Sequence, residues 1–315
     1  MGVPRASGVP DYGPGGTIRF NPEIWSGKLV EKFYKTTVFG DICTTDYEGE
    51  IAGMGAQIVI RTVPDITISP YVIGAGLVAQ YPSRNAVTLA IDQAKAFAVA
   101  LNTVDQRQSD IDLSDIFAND GSIQLKIAAD ADVLATIPSQ VATANQGATA
   151  GNDSANINLG TSATPVHVTK DGASSTKAAV ELITDMGQVL DEQNVSDEGR
   201  WLVVPPWFTK LVKNSDLRIA SLAGDGVSIL RNGKIGEVDR FSIYMCRNVY
   251  KQTSPVTAWE IMFGHSAGLA FAAQIVEAQM IDNPNDFGYI IRGLMVFGFK
   301  VIEPNYVGTA FVVTP

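Results

Sequence analysis

The sequence predicts an α+β fold, on three observations. Between Ser109 and Pro138, residues Ile116, Ile123, Ile127, Ala131, Leu134 and Ile137 recur at helical spacing, about eight turns or roughly 45 Å of helix. Gln57–Val63 and Asn85–Ile91 read as two β-branched strands, with about twenty residues rich in β-branched and turn-forming types between them. Ile290–Ile302 is a mostly apolar strand entered through the turn chemistry of Asn283-Pro-Asn-Asp286.

Residues 1–22 carry many Gly and Pro and few large apolar groups, so they pack no core of their own and read as a flexible or partner-supported arm. Pro22-Glu23 opens a short amphipathic segment with Trp25, Leu29 and Phe33 four apart on one helical face. The hairpin that follows spans Gly53 to Ile91 and is broken by Pro64, Pro70, Gly74, Gly76 and Pro82. So long a hairpin is marginally stable alone in water and needs a surface to rest on. Ser109 has the form of a helix cap, with Asp110, Asp112 and Asp115 near the positive end of the dipole. Gly121 lies inside this helix, where Gly costs about 1 kcal/mol relative to Ala. It is a hinge candidate, the competing reading being close packing on a sheet beneath.

Residues 143–172 turn small and polar, with Gly147, Gly151, Gly160 and Gly172, and read as loop-rich surface. A second helix is predicted over Ser175–Gln193, with Ala179, Leu182, Ile183, Met186 and Leu190 on one face. Arg200–Pro205 reads as a buried strand. Trp259–Phe263 supplies another strand and Leu269–Glu277 a helix after it. In the last strand, Gly293 and Gly298 remove side chains where something approaches closely.

The chain's 315 residues, 46% of them hydrophobic, suffice for a sizeable core in one to three domains. Its 33 acidic residues against 23 basic ones, a formal charge of −10 with no basic run, argue against gripping phosphate backbones. Cys43 and Cys246 lie far apart and read as buried thiols. The N-terminus has no apolar signal region, and Ala6 stands where myristoylation wants Ser or Thr. No apolar run approaches the ~18 residues that span a bilayer. The expectation is a soluble protein, made in the cytoplasm, with no membrane partner.

One motif argues for an enzyme. Gly264-His-Ser-Ala-Gly268 satisfies G-x-S-x-G, the nucleophile elbow of serine hydrolases, with a strand expected before it and a helix after. In that fold the triad Asp and His follow the Ser, yet only 49 residues lie beyond Ser266 and none is His. His265 occupies the variable position of the elbow and His167 lies upstream. No His-Gly-Gly-Gly segment offers an oxyanion hole, so the stretch reads as a small-residue turn. Two His and two Cys make no metal spacing, and the cap explains Asp110, Asp112 and Asp115. Gly224–Gly226 and Gly233–Gly236 lack the dinucleotide pattern, and no phosphate-binding lysine follows a strand. Trp25, Trp201, Trp207 and Trp259 do not alternate with basic residues, so core is their default. No cofactor is expected.

Four blocks carry a family resemblance, in order, from Trp25 to Pro304: Phe33–Glu50; Ile60–Ile68; Leu190–Val195 with Gly224–Phe241; and Asn283–Glu303. Together they resemble tailed-bacteriophage major capsid proteins, in the branch typified by podovirus coat proteins. The resemblance implies an N-terminal arm (1–50), an extended β-hairpin loop (51–92), a peripheral domain with a long spine helix (93–142), an axial domain (143–284) and a C-terminal return to the peripheral domain (285–315). It implies a non-catalytic subunit that self-assembles as pentamers and hexamers into an icosahedral virion shell around double-stranded DNA. Its partners would be a scaffolding protein, a portal and a cement protein. A similar Phe-Gly-His turn stands in the family without catalytic use, and 143–172 is too short for the immunoglobulin-like insert of some podovirus coats.

In this family the extended loop lies across a neighbouring subunit, which makes Arg61, Asp65, Tyr71 and Arg84 candidates for intersubunit contact. Some relatives weld subunits through a loop lysine and a neighbour's asparagine. Here no lysine lies between Lys35 and Lys95, and Arg61 and Arg84 stay protonated and cannot make that attack, so a non-covalent shell is expected. The alternatives are a serine hydrolase built on the elbow and an encapsulin-type shell.

Overall fold

A computed structural model describes residues 34–35, 37–46, 57–62, 66–74, 76, 79–81, 86–103, 107, 113–172, 175–215, 237–284 and 286–314. The arm, the Trp25–Phe33 face, the Ser109 cap with Asp110 and Asp112, and the glycines between 224 and 236 lie outside these residues. In chain order come α1 (Phe39–Ile42), β1 (Gln57–Arg61), β2 (Ala86–Ala90), β3 (Gln93–Asn102), α2 (Leu113–Thr136), β4 (Val166–Thr169), β5 (Lys177–Ala178), α3 (Ala179–Glu192) and β6 (Arg200–Val204). They are followed by α4 (Pro206–Asn214), β7 (Glu237–Val238), β8 (Phe241–Met245), β9 (Lys251–Gln252), β10 (Ala258–His265), β11 (Leu269–Asp282), β12 (Gly288–Val301) and β13 (Val307–Val313).

Two sheets hold most of the chain. The larger runs β5-β4-β13-β10-β6-β8-β7, with β9 added on β10; the smaller is antiparallel, in the order β11-β12-β3. β6 is apolar after its first residue and buried at every position, as a strand covered on both faces must be. It ends because Pro205 has no N–H to give, and Pro206 then starts α4 at a position where that lack costs nothing. On one face of the large sheet, Leu182, Ile183, Met186, Val189 and Leu190 of α3 pack with Leu202, Phe241, Ile261, Phe263 and Val312.

The opposite face shares an apolar cluster with the small sheet. Trp201, Val203 and Met262 of the first meet Phe271, Met295 and Phe297 of the second, with Leu125, Ala129, Val133 and Leu134 of α2. This cluster is the joint between the sheets.

Several sequence expectations change here. The helix expected over Leu269–Glu277 is a strand, since β11 pairs with β12 from Leu269↔Val301 to Asp282↔Tyr289. The boundary expected at 284/285 therefore divides a hairpin, and β13 beyond it joins the large sheet, beside β10. α3 begins at Ala179, later than Ser175, because Lys177 and Ala178 pair with β4. The buried track of α2 runs through Leu125, Ala129, Val133 and Leu134, while Ile116, Ile123 and Ile127 flank it half-buried. The polar loop 143–172 puts Ala150, Ile157 and Leu159 into the core.

Arg200, at the start of β6, is 1% exposed and pairs with Asp191 at 2.7 Å and Asp197 at 3.2 Å, while also donating to the carbonyls of Val195 and Ser196. Burial pushes the Asp191 carboxyl up, but hydrogen bonds from Arg240 and Arg200 hold it below the usual range.

Candidate assembly surfaces

β1 and β2 form an antiparallel ladder from Gln57↔Ala90 to Arg61↔Ala86. Its root is fixed: Ile60, Leu89 and Ile91 pack on Ala270 and Ala272 of β11. Gly298 of β12 makes this possible, since a Cβ there would overlap the Ala90 carbonyl.

Beyond the root the hairpin is apolar and uncovered. Ile68 is 88% exposed, Ile73 89% and Tyr81 93%, with Ile66, Tyr71 and Val72 also open. The Gln80 side chain braces this stretch by accepting from Thr67 N–H at 3.1 Å and donating to its carbonyl at 2.6 Å. Of the candidate contact residues, Arg61 and Tyr71 are exposed on the hairpin, whereas Asp65 and Arg84 lie outside the described residues.

The small sheet carries α2 on one face; the other is covered by the hairpin root around Ala270 and Ala272 and is open beyond it. There Ala96, Ala98 and Leu294 flank a trough of about 560 Å³ whose polar side is a ladder. In it Arg292 donates to Gln279 at 2.8 Å and Gln279 to Glu277 at 3.1 Å.

Gly121 is explained by contact. A Cβ at Gly121 or at Gly293, on the strand beside β3, would overlap the Phe97 ring, which fills the space between helix and sheet. The two glycines together leave room for that ring, which agrees with the close-packing reading of Gly121.

The elbow motif dissolves into topology. After His265 the chain leaves the large sheet through a short turn, Ser266–Gly268, and enters the small sheet as β11. It returns through Pro304–Tyr306 to β13. The two crossings abut: a Cβ on Gly264 would meet the Tyr306 carbonyl oxygen at 2.7 Å, and one on Gly268 the Tyr306 Cβ at 2.8 Å. Both glycines are thus required by packing. His265 Nδ1 accepts from Ala267 N–H at 3.1 Å, and no hydrogen bond joins Ser266 Oγ to a histidine among the described residues. Nor do the described residues hold a group of three His, Cys, Asp or Glu side chains that suits a metal, or a helix long and apolar enough to cross a membrane.

Two buried carboxylates were not visible in the sequence. Asp130 of α2 has no exposed surface, and Glu260 of β10 is 8% exposed. Burial pushes Glu260 up to about 7. Neither sits in a recognisable motif. The one available signal was Asp130 inside the track of Leu125, Ala129, Val133 and Leu134, and it needed the correct helix face to be noticed.

A family model described as phage capsid protein matches residues 84–310. Among solved structures, a chain from Mycobacterium phage Che8 is 25% identical with a TM-score of 0.73, covering 92% of this chain and 97% of that one. The capsid structure of cyanophage P-SCSP1u gives 16% identity and a TM-score of 0.70 over 98% of each chain. The mature capsid of bacteriophage PhiM1 gives 15% and 0.66, over 96% of this chain and 94% of that one. No curated protein sequence matches.

Proposed function

This chain belongs to the phage capsid protein family and is a shell-forming structural protein of the virion capsid, and from that premise we propose that its hairpin lies across a neighbouring copy. The observation that carries the proposal is the uncovered apolar set Ile66, Ile68, Tyr71, Val72, Ile73 and Tyr81, exposed among the described residues. Burying such a set between copies rewards assembly, because apolar area removed from water contributes about 25 cal/mol per Å². The open face of the small sheet is the landing surface in this reading. Its trough offers apolar contact at Ala96, Ala98 and Leu294 and polar registration at Arg292 and Glu277. The exposed Arg61 suits a bidentate pair with a neighbour's carboxylate.

The copies are arranged as pentamers and hexamers of an icosahedral shell around double-stranded DNA, assembled in the host cytoplasm with a scaffolding protein, a portal and a cement protein. The role is structural, without catalysis. The serine hydrolase reading has no support in the geometry, since the turn it needs is a crossing between sheets.

Deletion of residues 64–82 tests the hairpin. The expected product is a folded chain that sediments as a small species and gives no shells by electron microscopy. Normal shells from that deletion would refute the proposal.

A further inference from the structure

Asp130 is fully buried, yet all of its donors are uncharged. Its Oδ1 accepts from Val38 N–H at 2.9 Å and Phe39 N–H at 3.0 Å. Its Oδ2 accepts from Asn248 Nδ2 at 2.7 Å and from the Cys246 thiol at 3.5 Å. A carboxylate held inside protein without a cation is an expensive way to fill space, and apolar side chains of similar volume commonly do as well or better. What it adds is direction.

The three segments it ties are mechanically distinct. Asp130 rides on α2, which packs on the small sheet; Cys246 and Asn248 belong to the loop leaving β8 of the large sheet; Val38 and Phe39 open α1. The segment after α1 continues into the small sheet, since Thr44 N–H donates to the Leu269 carbonyl at 2.8 Å and the Thr44 carbonyl accepts from Phe271 N–H at 3.1 Å. All three meet within the apolar joint between the sheets. Apolar contact there resists separation but does not fix register, whereas a hydrogen bond weakens steeply with misalignment.

We propose that Asp130 is a latch that sets the register of the joint between the two sheets, and that breaking it lets the joint and the segment 38–44 open together without global unfolding. The chain carries its own reporters. Its two cysteines, Cys43 and Cys246, are both buried at this latch. Burial, and then the charge of Asp130, pushes the Cys43 thiol up, and burial above all pushes Cys246 up to about 12. A closed latch therefore keeps both thiols inert.

The test is the rate of maleimide labelling of the unassembled full-length chain, at pH 7.5 and at urea concentrations well below unfolding. Asp130→Asn turns an acceptor toward Asn248 into a donor. Loss of a hydrogen bond to a charged group corresponds to about tenfold or more in the opening equilibrium. Both thiols should label about tenfold faster than in wild type, at a rate nearly independent of urea, the mark of local opening. The exchange Asp130→Asn with Asn248→Asp returns the carboxylate to the same site from the other side. Asn248 Oδ1 is buried there without a partner, so the second carboxylate oxygen of the swap has no donor, and labelling of the double variant should stay faster than in wild type. Wild-type labelling in Asp130→Asn would overturn the latch, as would an acceleration that rises with urea in step with unfolding. If Asp130→Asn does not fold, Asn248→Ala decides: protection equal to wild type refutes the proposal, and a several-fold rise in labelling of both thiols supports it.

Discussion

Glu260 offers a sharp test of how the large sheet is built. Its carboxylate lies on the face shared with Met262 and Thr309, at 8% exposure. Among the described residues it has no donor or cation. Burial raises it from the ordinary 4.5 to about 7. Below pH 4.5 both folded and unfolded chains hold the proton and burial exacts no charge penalty. Between 4.5 and about 7 the unfolded chain ionises while the folded one keeps its proton, so the group's contribution to stability falls as pH rises, and it is lost above the folded value. At about 1.4 kcal/mol per tenfold change, the full loss is roughly 3 kcal/mol. Glu260→Gln keeps the shape and removes the ionisation. Urea unfolding of wild type and variant, unassembled, should give similar stability at pH 4.5. At pH 8 the variant should be more stable by an amount approaching that figure. A difference between the two chains that is the same at both pH values would refute the reasoning, because only the titration of this group makes the difference depend on pH.

Three further outcomes are expected. Gly121→Ala should lose about 1–3 kcal/mol by pressing on the Phe97 ring, instead of gaining the ~1 kcal/mol that Ala brings to a helix; the added change Phe97→Leu should recover part of the loss in thermal unfolding. Arg200→Ala should cost about 2–4 kcal/mol, since it leaves the carbonyls of Val195 and Ser196 without their donor while Asp191 keeps Arg240, whereas Arg240→Ala, at a 38% exposed side chain, should cost about 1 kcal/mol or less by the same assay. Boiled, reduced virions should give one band near 33.6 kDa on a denaturing gel; with no lysine between Lys35 and Lys95, a covalent ladder would refute the non-covalent shell and require a crosslink of other chemistry.

The parts of this fold that local chemistry decides were readable in advance. The hairpin strands, β6 before its two prolines and β12 after its turn all follow from residue type and period. β11 was not, because Leu269-Ala-Phe-Ala-Ala-Gln suits a helix as well as a strand. Pairing along the whole of β12 decided the matter, which is a property of the partner and not of the segment. The face of α2 was read only in part, for a related reason. Leu134 and Ile137 lie in the joint as expected, but Ile116, Ile123 and Ile127 drew the eye to a flank, while Ala129 and Leu125 face the joint. Asp130 and Glu260 were illegible because a charge in sequence carries no mark of its burial.

The glycine motif around Ser266 shows how the same residues serve two accounts, and why topology separates them. A nucleophile elbow needs glycines so that a helix can follow a strand at a sharp turn. Here a strand follows a strand in a different sheet, and the glycines let the outgoing crossing at 266–268 lie on the returning one at 304–306, with Ile302 N–H donating to the Gly268 carbonyl at 2.9 Å. The chain thus passes between sheets twice, in opposite directions, at one place. A joint sewn in this way cannot be pulled apart without breaking strands, but it can turn about the sewn point. What limits the turning is whatever holds register away from that point, and Asp130, on the helix that packs on the small sheet and bound to the loop after β8 and to the start of α1, is placed to do so. A joint fixed by the hydrogen bonds of one side chain and a shared apolar cluster is easier to reset than one fixed by a ladder of paired strands.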